Sequence, residues 1–331
     1  MDNKQIDAFL KEIDGLKLAS DTDFDYTRIP FNIPTLDELL GGGVPKKRFT
    51  IFEGPTNCGK SYLASQLVRS VQESGGIAGW IDTEMTLDKA WMTECGVDIN
   101  KLVVYQGSTG EKAFEATRKL MQAGIDLAVI DSLAGVVPSN VLNEGFDYNP
   151  MAWQARFINQ SMPRLVDELH HGTALVAINQ VRSSMGPVSL DTMPGGMAQV
   201  FFAHMILQVR RAGWIEEGGK KSGFDMKVVV KKTKVSSEAF DEVTIPFRLS
   251  GGIDAMEIDL REAIEFKVIK KSGGWLKYGD KSHMGMNGIK AWFKENPKRF
   301  EEMKNELATK RSDGSGKSDS KDSDDDGDKV L

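Results

Sequence analysis

Gly54-Pro55-Thr56-Asn57-Cys58-Gly59-Lys60-Ser61 is the stretch that decides the fold. It matches in full the pattern Gly-x-x-x-x-Gly-Lys-Ser/Thr of a phosphate-binding loop. Its glycines let backbone N–H groups turn inward around phosphate oxygens, and the helix expected from Ser61 to Ser74 offers its N-terminus to the same anion. Lys60 is placed to neutralise the outer phosphates and Ser61 to ligate Mg2+. The loop needs a strand before it and a helix after it. The apolar run from Phe49 to Glu53 and the helical spacing that begins at Ser61 supply both. Cys58 reads as a small loop residue rather than a nucleophile.

Working outward, short apolar runs recur at Ala78-Gly-Trp-Ile, Leu102-Val-Val-Tyr, Leu127-Ala-Val-Ile and Ala174-Leu-Val-Ala-Ile, separated by segments of helical period. That alternation predicts an α/β fold of strand–helix units around a mainly parallel central sheet. Strands over 205–210, 228–230 and 243–249 follow one another without long helices and predict an antiparallel extension. A Gly251-Gly252 break then opens a smaller α/β segment, in which Asn296-Pro297 looks like a helix start. Before the core, Ile6, Phe9, Leu10 and Ile13 lie at helical spacing. So short a helix is marginal alone and must dock, on its own core or on a neighbouring subunit. The expected organisation is 1–27 N-terminal helix and linker, 28–250 core, 251–310 small C-terminal domain and 311–331 disordered tail.

Two further strands end in acids. Leu127-Ala-Val-Ile-Asp131-Ser132 has the Walker B form, in which the aspartate holds the magnesium shell from the second side. Trp80-Ile-Asp82-Thr-Glu84 makes Glu84 a candidate general base for a water, with a solvent-exposed strand-end carboxylate as the competing reading. Asp88 and Trp91, one helical turn apart, could flank an adenine; for a tryptophan taken alone, a core position is the better reading.

Composition sets the limits. In 331 residues there are two cysteines, Cys58 and Cys95, which rules out a disulfide scaffold and a four-cysteine zinc site. No apolar run approaches the roughly 18 residues of a membrane span, and the first residues do not form a signal peptide, so a reduced, cytoplasmic protein with no membrane partner is expected. The net charge of −6 argues against a nucleic-acid partner until its distribution is read. From Arg311 onward four basic residues face seven acidic ones, so half of the net charge lies in the tail.

Several motifs then fall in a familiar order: Phe-Glu-Gly-Pro…Gly-Lys-Ser, Ile-Asp-Thr-Glu-x-x-Leu-Asp, Gly96-Val-Asp98, Val-Ile-Asp-Ser, Ala177-Ile-Asn-Gln180-Val-Arg182 and Gly195-Gly196. Together, from about Arg28 to Lys310, they resemble the bacterial RecA recombinase family, including its phage-encoded members, with a RecA-type ATPase core as the fold. The resemblance implies ATP and Mg2+ as cofactors. Glu84 would be the catalytic glutamate, working with Lys60 and with Gln180 as sensor of the γ-phosphate. Lys232 and Lys234 would reach ATP across a subunit interface. Gly54, Pro55, Thr56, Asn57, Cys58, Gly59, Lys60, Ser61 and Tyr62 would line the nucleotide, with Asp88 and Trp91 at the adenine and Ser61 and Asp131 at the metal.

The resemblance also implies two DNA-binding loops, about 139–151 and 181–194. The DNA contacts would come from Met151, Arg156, Arg182, Ser183, Met185, Gly195 and Gly196. Arg210, Arg211 and Lys227 would form a secondary site. The implied partners are single-stranded DNA, double-stranded DNA, further copies of the chain in a helical filament and a single-strand DNA-binding protein. The implied function is homologous pairing and strand exchange in DNA repair, with an accessory mediator or a hexameric helicase-type motor as alternatives. Ser184, Val200 and Pro163 stand where the family often carries basic groups, which lowers positive charge near DNA.

Overall fold

The structure is a computed structural model that describes Ile6, Phe9, Lys17, Leu18, Ser20 and residues 27–143, 150–183, 191–235 and 241–312. The tail from 313 and most of the N-terminal helix expected over 4–13 lie outside the described residues; Ile6 and Phe9 are helical.

In chain order the strands are β1 (Arg28–Ile29), β2 (Val44–Pro45), β3 (Phe49–Gly54), β4 (Ala78–Asp82), β5 (Leu102–Gln106), β6 (Leu127–Asp131), β7 (Ala174–Gln180), β8 (Arg182–Ser183) and β9 (Asp191–Thr192), then β10 (Met205–Glu217), β11 (Lys220–Thr233), β12 (Glu242–Arg248), β13 (Gly252–Ile253), β14 (Lys270–Ser272), β15 (Trp275–Tyr278) and β16 (Lys281–Met284). The helices are α1 (Pro34–Leu39), α2 (Lys60–Glu73), α3 (Lys89–Glu94), α4 (Gly110–Gln122), α5 (Ser139–Asn143), α6 (Pro150–Asp167), α7 (Ala198–Phe202), α8 (Ala255–Glu265), α9 (Gly285–Glu295) and α10 (Pro297–Ser312).

The chain packs as two compact units, one of 1–212 with 226–244 and one of 213–225 with 245–331. The first holds the parallel centre of a nine-stranded sheet of order β13-β12-β11-β10-β3-β7-β6-β4-β5. Along β10-β3-β7-β6-β4-β5 each strand pairs in parallel with the next. β3 and the first four residues of β6 are wholly buried, as apolar runs covered on both faces must be. Helix α2 lays Leu63, Ala64, Leu67, Val68 and Val71 on the core, a stripe at helical spacing. Each of its large aliphatic groups contributes roughly 1.5–3 kcal/mol by burial. Helix α6 continues past Pro163, because one lost backbone bond is outweighed by the buried Ile158, Met162 and Leu165.

Register brings the site together. Asp82 pairs with Asp131, Asp131 with Ile178, and Gly54 with Gln180. The carboxyl ends of β3, β4, β6 and β7 therefore share one edge of the sheet, the end at which open α/β sheets bind ligands.

The second unit is built on the antiparallel sheet β14-β15-β16 and helices α8–α10, around Leu260, Ile269, Leu276, Ile289, Phe293 and Met303. The sequence boundary near residue 250 left the tip 213–225 in the core; here the tip belongs to the second unit. Ion pairs explain why: Arg261 binds Asp225, and Arg248 binds both Glu217 and the buried Glu257. Glu257 also accepts from Arg261 and Lys290. Burial alone pushes the Glu257 carboxyl up, but hydrogen bonds from Arg248, Lys290 and Arg261 outweigh it and hold the group below its ordinary range.

Removing Glu257 strands several cations in a poorly solvated place, so Glu257→Ala is expected to cost the second unit about 3 kcal/mol. A lowered carboxylate stabilises above its unfolded value of 4.5 and loses that contribution as pH falls through the folded value. Denaturant melts of the two proteins followed by the Trp275 and Trp292 fluorescence should thus differ at pH 7 and converge as the pH falls below 4.5 and through the lowered folded value.

Candidate active site

The phosphate loop links β3 to α2 by a turn that glycine alone fits. Gly54 has φ 152°, and a Cβ there would lie 2.0 Å from the Val209 carbonyl oxygen. Gly59, at φ 99°, precedes α2, and no side chain caps that helix. The first-turn N–H groups are left to an anion rather than to a capping oxygen. Lys60 is buried and donates to the carbonyls of Gly54, at 2.9 Å, and Pro55. The Cys58 thiol donates to Pro55 and Val209 carbonyls and is pushed up by burial, which fits a structural thiol and not a nucleophile.

Ser61 donates from its hydroxyl to Asp131 Oδ2 at 2.8 Å. Burial pushes the Asp131 carboxyl up to about 6; the Ser61 bond opposes the shift, and Glu84 and Asp82 add to it. Two hard oxygen donors side by side suit Mg2+, which is commonly held by one carboxylate and the phosphates of a nucleotide. Among the described residues no group of three or more His, Cys, Asp or Glu is placed to hold a metal by itself. The site fits a cation that arrives with its nucleotide.

Glu84 follows β4. Its Oε1 accepts from the Ser132 hydroxyl and, at 3.1 Å, from Gln180 Nε2. Asp82, two residues earlier, is buried and accepts from the backbone of Thr86 and Leu87 and from Gln106. It therefore shapes the turn that carries Glu84. Thr83 and Ser132 tie the two acidic strand ends together: Ser132 N donates to Thr83 Oγ1 at 2.9 Å and Thr83 Oγ1 donates to the Ser132 carbonyl at 2.6 Å. Asp88 caps α3 by accepting from Trp91 N at 2.7 Å, with Trp91 half-buried.

Gln180 ends β7, and its N–H donates to Asn179 Oδ1. Asn179 Nδ2 donates to Gln199 Oε1 at 2.8 Å and to the Pro194 carbonyl at 3.0 Å, while Gln199 Nε2 reaches the carbonyls of Pro194 and Gly196. This buried amide pair fastens both ends of the segment 181–194. Gly195 and Gly196 pack on α6, where a Cβ on Gly195 would meet Ile158 at 2.5 Å. Met151 and Arg156 are exposed on the same helix, the guanidinium over the Trp153 ring at 5.3 Å.

Lys232 donates to the Val200 carbonyl at 2.6 Å and the Phe201 carbonyl at 3.3 Å, and Lys234 lies over the Phe201 ring. Burial and then Lys234 lower the Lys232 ammonium; burial with Arg48, Lys234 and Lys232 pushes His204 down to about 4. Arg210 and Arg211 are exposed on β10, and Lys227 pairs with Glu242 at 2.6 Å.

The structure thus unites Gly54, Lys60, Ser61, Asp131, Glu84 and Gln180, and sets Lys232 and Lys234 together on another element. Met185 lies outside the described residues, as do the side chains of Arg182 and Ser183, whose backbone pairs with Asp191 and Thr192. Thr83, Ser132 and Gln199 were given no role by the sequence. The first two flank the acids that stood out, which is a signal of position; a buried glutamine leaves none.

Comparison with known proteins agrees with this geometry. The family model described as the RecA N-terminal domain matches residues 4–254. Protein RecA of Aquifex aeolicus is 35% identical over 281 residues, covering 83% of this chain and 81% of that protein. Protein RecA of Frankia alni is 33% identical over 321 residues, 93% of this chain and 92% of that one. The Lactobacillus johnsonii protein is 32% identical over 317 residues, 92% and 88% of the two chains.

The raised Asp131 carboxyl has a measurable consequence, since a ligating carboxylate must be ionised. Affinity for magnesium with a non-hydrolysable nucleoside triphosphate should hold above pH 6 and fall by about tenfold per unit below it. Calorimetric titration between pH 5 and 8 checks this, and Asp131→Asn should flatten that step.

Proposed function

The chain belongs to the RecA family, and on that premise we propose that it is a DNA-dependent ATPase. In this reading it assembles on single-stranded DNA as a helical filament and pairs that strand with homologous duplex. The observation that carries the reading is the bond from Gln180 to Glu84, which joins the carboxylate of the nucleotide site to the strand leading into segment 181–194.

In this reading the loop from Gly54 to Ser61 and the start of α2 grip the phosphates of ATP through backbone N–H groups, and Lys60 exchanges its loop carbonyls for phosphate oxygens. Ser61 and Asp131 hold Mg2+, which when bound withdraws charge from the terminal phosphates. Glu84 orients a water and accepts its proton as the water oxygen bonds to the terminal phosphorus. The bond from that phosphorus to the bridging oxygen breaks, and ADP and phosphate leave. Asp88 and Trp91 flank the adenine, with Tyr62 beside the phosphates.

Gln180 is the sensor. A γ-phosphate offers its side-chain amide a stronger acceptor than Glu84 does, so nucleotide binding shifts Gln180 and with it the DNA-facing segment. Lys232 and Lys234 serve the ATP of the next copy in the filament, stabilising charge in the transition state as an arginine finger does. The lowered basicity of Lys232 and the borrowed carbonyl partners of both lysines make them ready to exchange partners. Arg156 and Arg182 supply salt-dependent, sequence-independent contact to the DNA backbone, with Met151 and Met185 inserted between bases. Arg210, Arg211 and Lys227 receive the second duplex. A single-strand DNA-binding protein is the expected partner on the substrate.

Single-stranded DNA should raise ATP hydrolysis by at least about tenfold, and Lys60→Ala should abolish it. Glu84→Gln should keep ATP binding and DNA-bound filaments, seen by electron microscopy, while turnover stops. A strand-exchange assay completes the test. Hydrolysis indifferent to DNA, or ATP binding lost in Glu84→Gln, overturns the reading.

A further inference from the structure

The hydrogen bonds on Glu84 both fall on one of its oxygens. Ser132 Oγ and Gln180 Nε2 donate to Oε1, which commits that oxygen to the protein and leaves Oε2 to face a water. The two donors differ in how they are held. Gln180 is half-buried at the end of β7, where the chain leaves the sheet. Ser132 is 1% exposed, and its backbone is fixed on both sides by Thr83, which is itself 2% exposed. Thr83 N donates in turn to the Asp131 carbonyl at 2.9 Å. The base and the aspartate that would hold magnesium are thus joined by a crossed pair of neighbours, Thr83 before Glu84 and Ser132 after Asp131. Gly135 closes the opposite side, where a Cβ would stand 2.9 Å from Glu84 Cγ and 2.8 Å from Thr83 Oγ1.

We propose that Ser132 is the positioning residue of the hydrolytic reaction: its hydroxyl holds the Glu84 carboxylate in place for water activation after Gln180 has turned to the nucleotide. The proposal rests on Glu84 being the base. If Gln180 is to sense the phosphate it must let go of Oε1 in the very state in which Glu84 acts. A carboxylate on a two-carbon stem would then lose its aim unless another donor kept it. Ser132 is the donor that need not move, because its backbone belongs to the sheet edge and not to the DNA-facing segment. The same bond fixes Glu84 relative to Asp131, the residue that would hold Mg2+, since Ser132 follows Asp131 directly. Positioning errors of about 1 Å cost roughly a hundredfold in rate.

The test compares Ser132→Ala, Ser132→Thr and Glu84→Gln in the full chain with single-stranded DNA present. It reads kcat, KM for ATP, affinity for a fluorescent ATP analogue and thermal midpoint. Ser132→Ala should lower kcat about 10- to 100-fold while KM and analogue affinity stay within about twofold, because the hydroxyl acts on the base and not on binding. Ser132→Thr keeps the hydroxyl and should recover most of the rate, even though its extra methyl in a buried site lowers the thermal midpoint more than alanine does. Rate that follows the hydroxyl while stability follows size supports positioning. If kcat is unchanged in Ser132→Ala, or if rate falls in step with stability so that Thr is worse than Ala, Ser132 is structural and the proposal is overturned with the ATPase reading intact. Turnover persisting in Glu84→Gln removes the base itself, and both readings fall together.

Discussion

Everything in the nucleotide site depends on the parallel register of four strands. With Asp82 opposite Asp131 and Gly54 opposite Gln180, the ends of β3, β4, β6 and β7 come out level. Residues 96 apart in sequence then sit within one hydrogen bond of each other, as Gln180 and Glu84 do. A shift of one residue would turn each strand-end side chain to the other face of the sheet. The continuous burial of β3 and of most of β6 opposes such a shift, because both faces are covered by apolar groups.

That convergence puts three carboxylates, Asp82, Glu84 and Asp131, in one place, and like charges there work against folding. Each is treated differently. Asp82 takes three hydrogen bonds and becomes part of the turn. Glu84 is held by two donors on a single oxygen. Asp131 has the Ser61 hydroxyl to oppose burial, and its carboxyl still rises to about 6. A cation arriving with a nucleotide relieves the last of these. The burial, and after it the repulsion, that disfavour the Asp131 carboxylate are therefore what a bound cation would offset, and by linkage a ligand that binds the folded chain stabilises it.

How much of this the sequence disclosed depends on how local each feature is. The phosphate loop was legible because its chemistry lies in eight consecutive residues, and the strand-end acids because an apolar run stopping at Asp131 or Glu84 is visible in one line of text. The resemblance to the RecA family added Gln180, Lys232 and Lys234, which no local pattern singles out. Thr83 and Ser132 were in view but their bond was not, since it exists only after β4 and β6 pair. Nothing in composition separated 213–225 from the core. Its place in the second unit comes from ion pairs of Glu217 and Asp225 with residues more than thirty positions away.

The amide pair Asn179–Gln199 carries the argument beyond the nucleotide. Both side chains are fully buried, and a buried amide that loses its partners incurs a desolvation cost of about 1–3 kcal/mol. Asn179 accepts from the Gln180 backbone and donates to Gln199; Gln199 sits in α7, whose last carbonyls accept from Lys232. A line of hydrogen bonds and one short helix thus runs from Glu84 to the lysine pair. Because Asn179 and Gln199 are at zero exposure, a movement of Gln180 must either be absorbed by rotation of its own side chain or be passed to α7. Gln180, proposed as the γ-phosphate sensor, and the lysines proposed to serve a second nucleotide are thus the two ends of one line of hydrogen bonds.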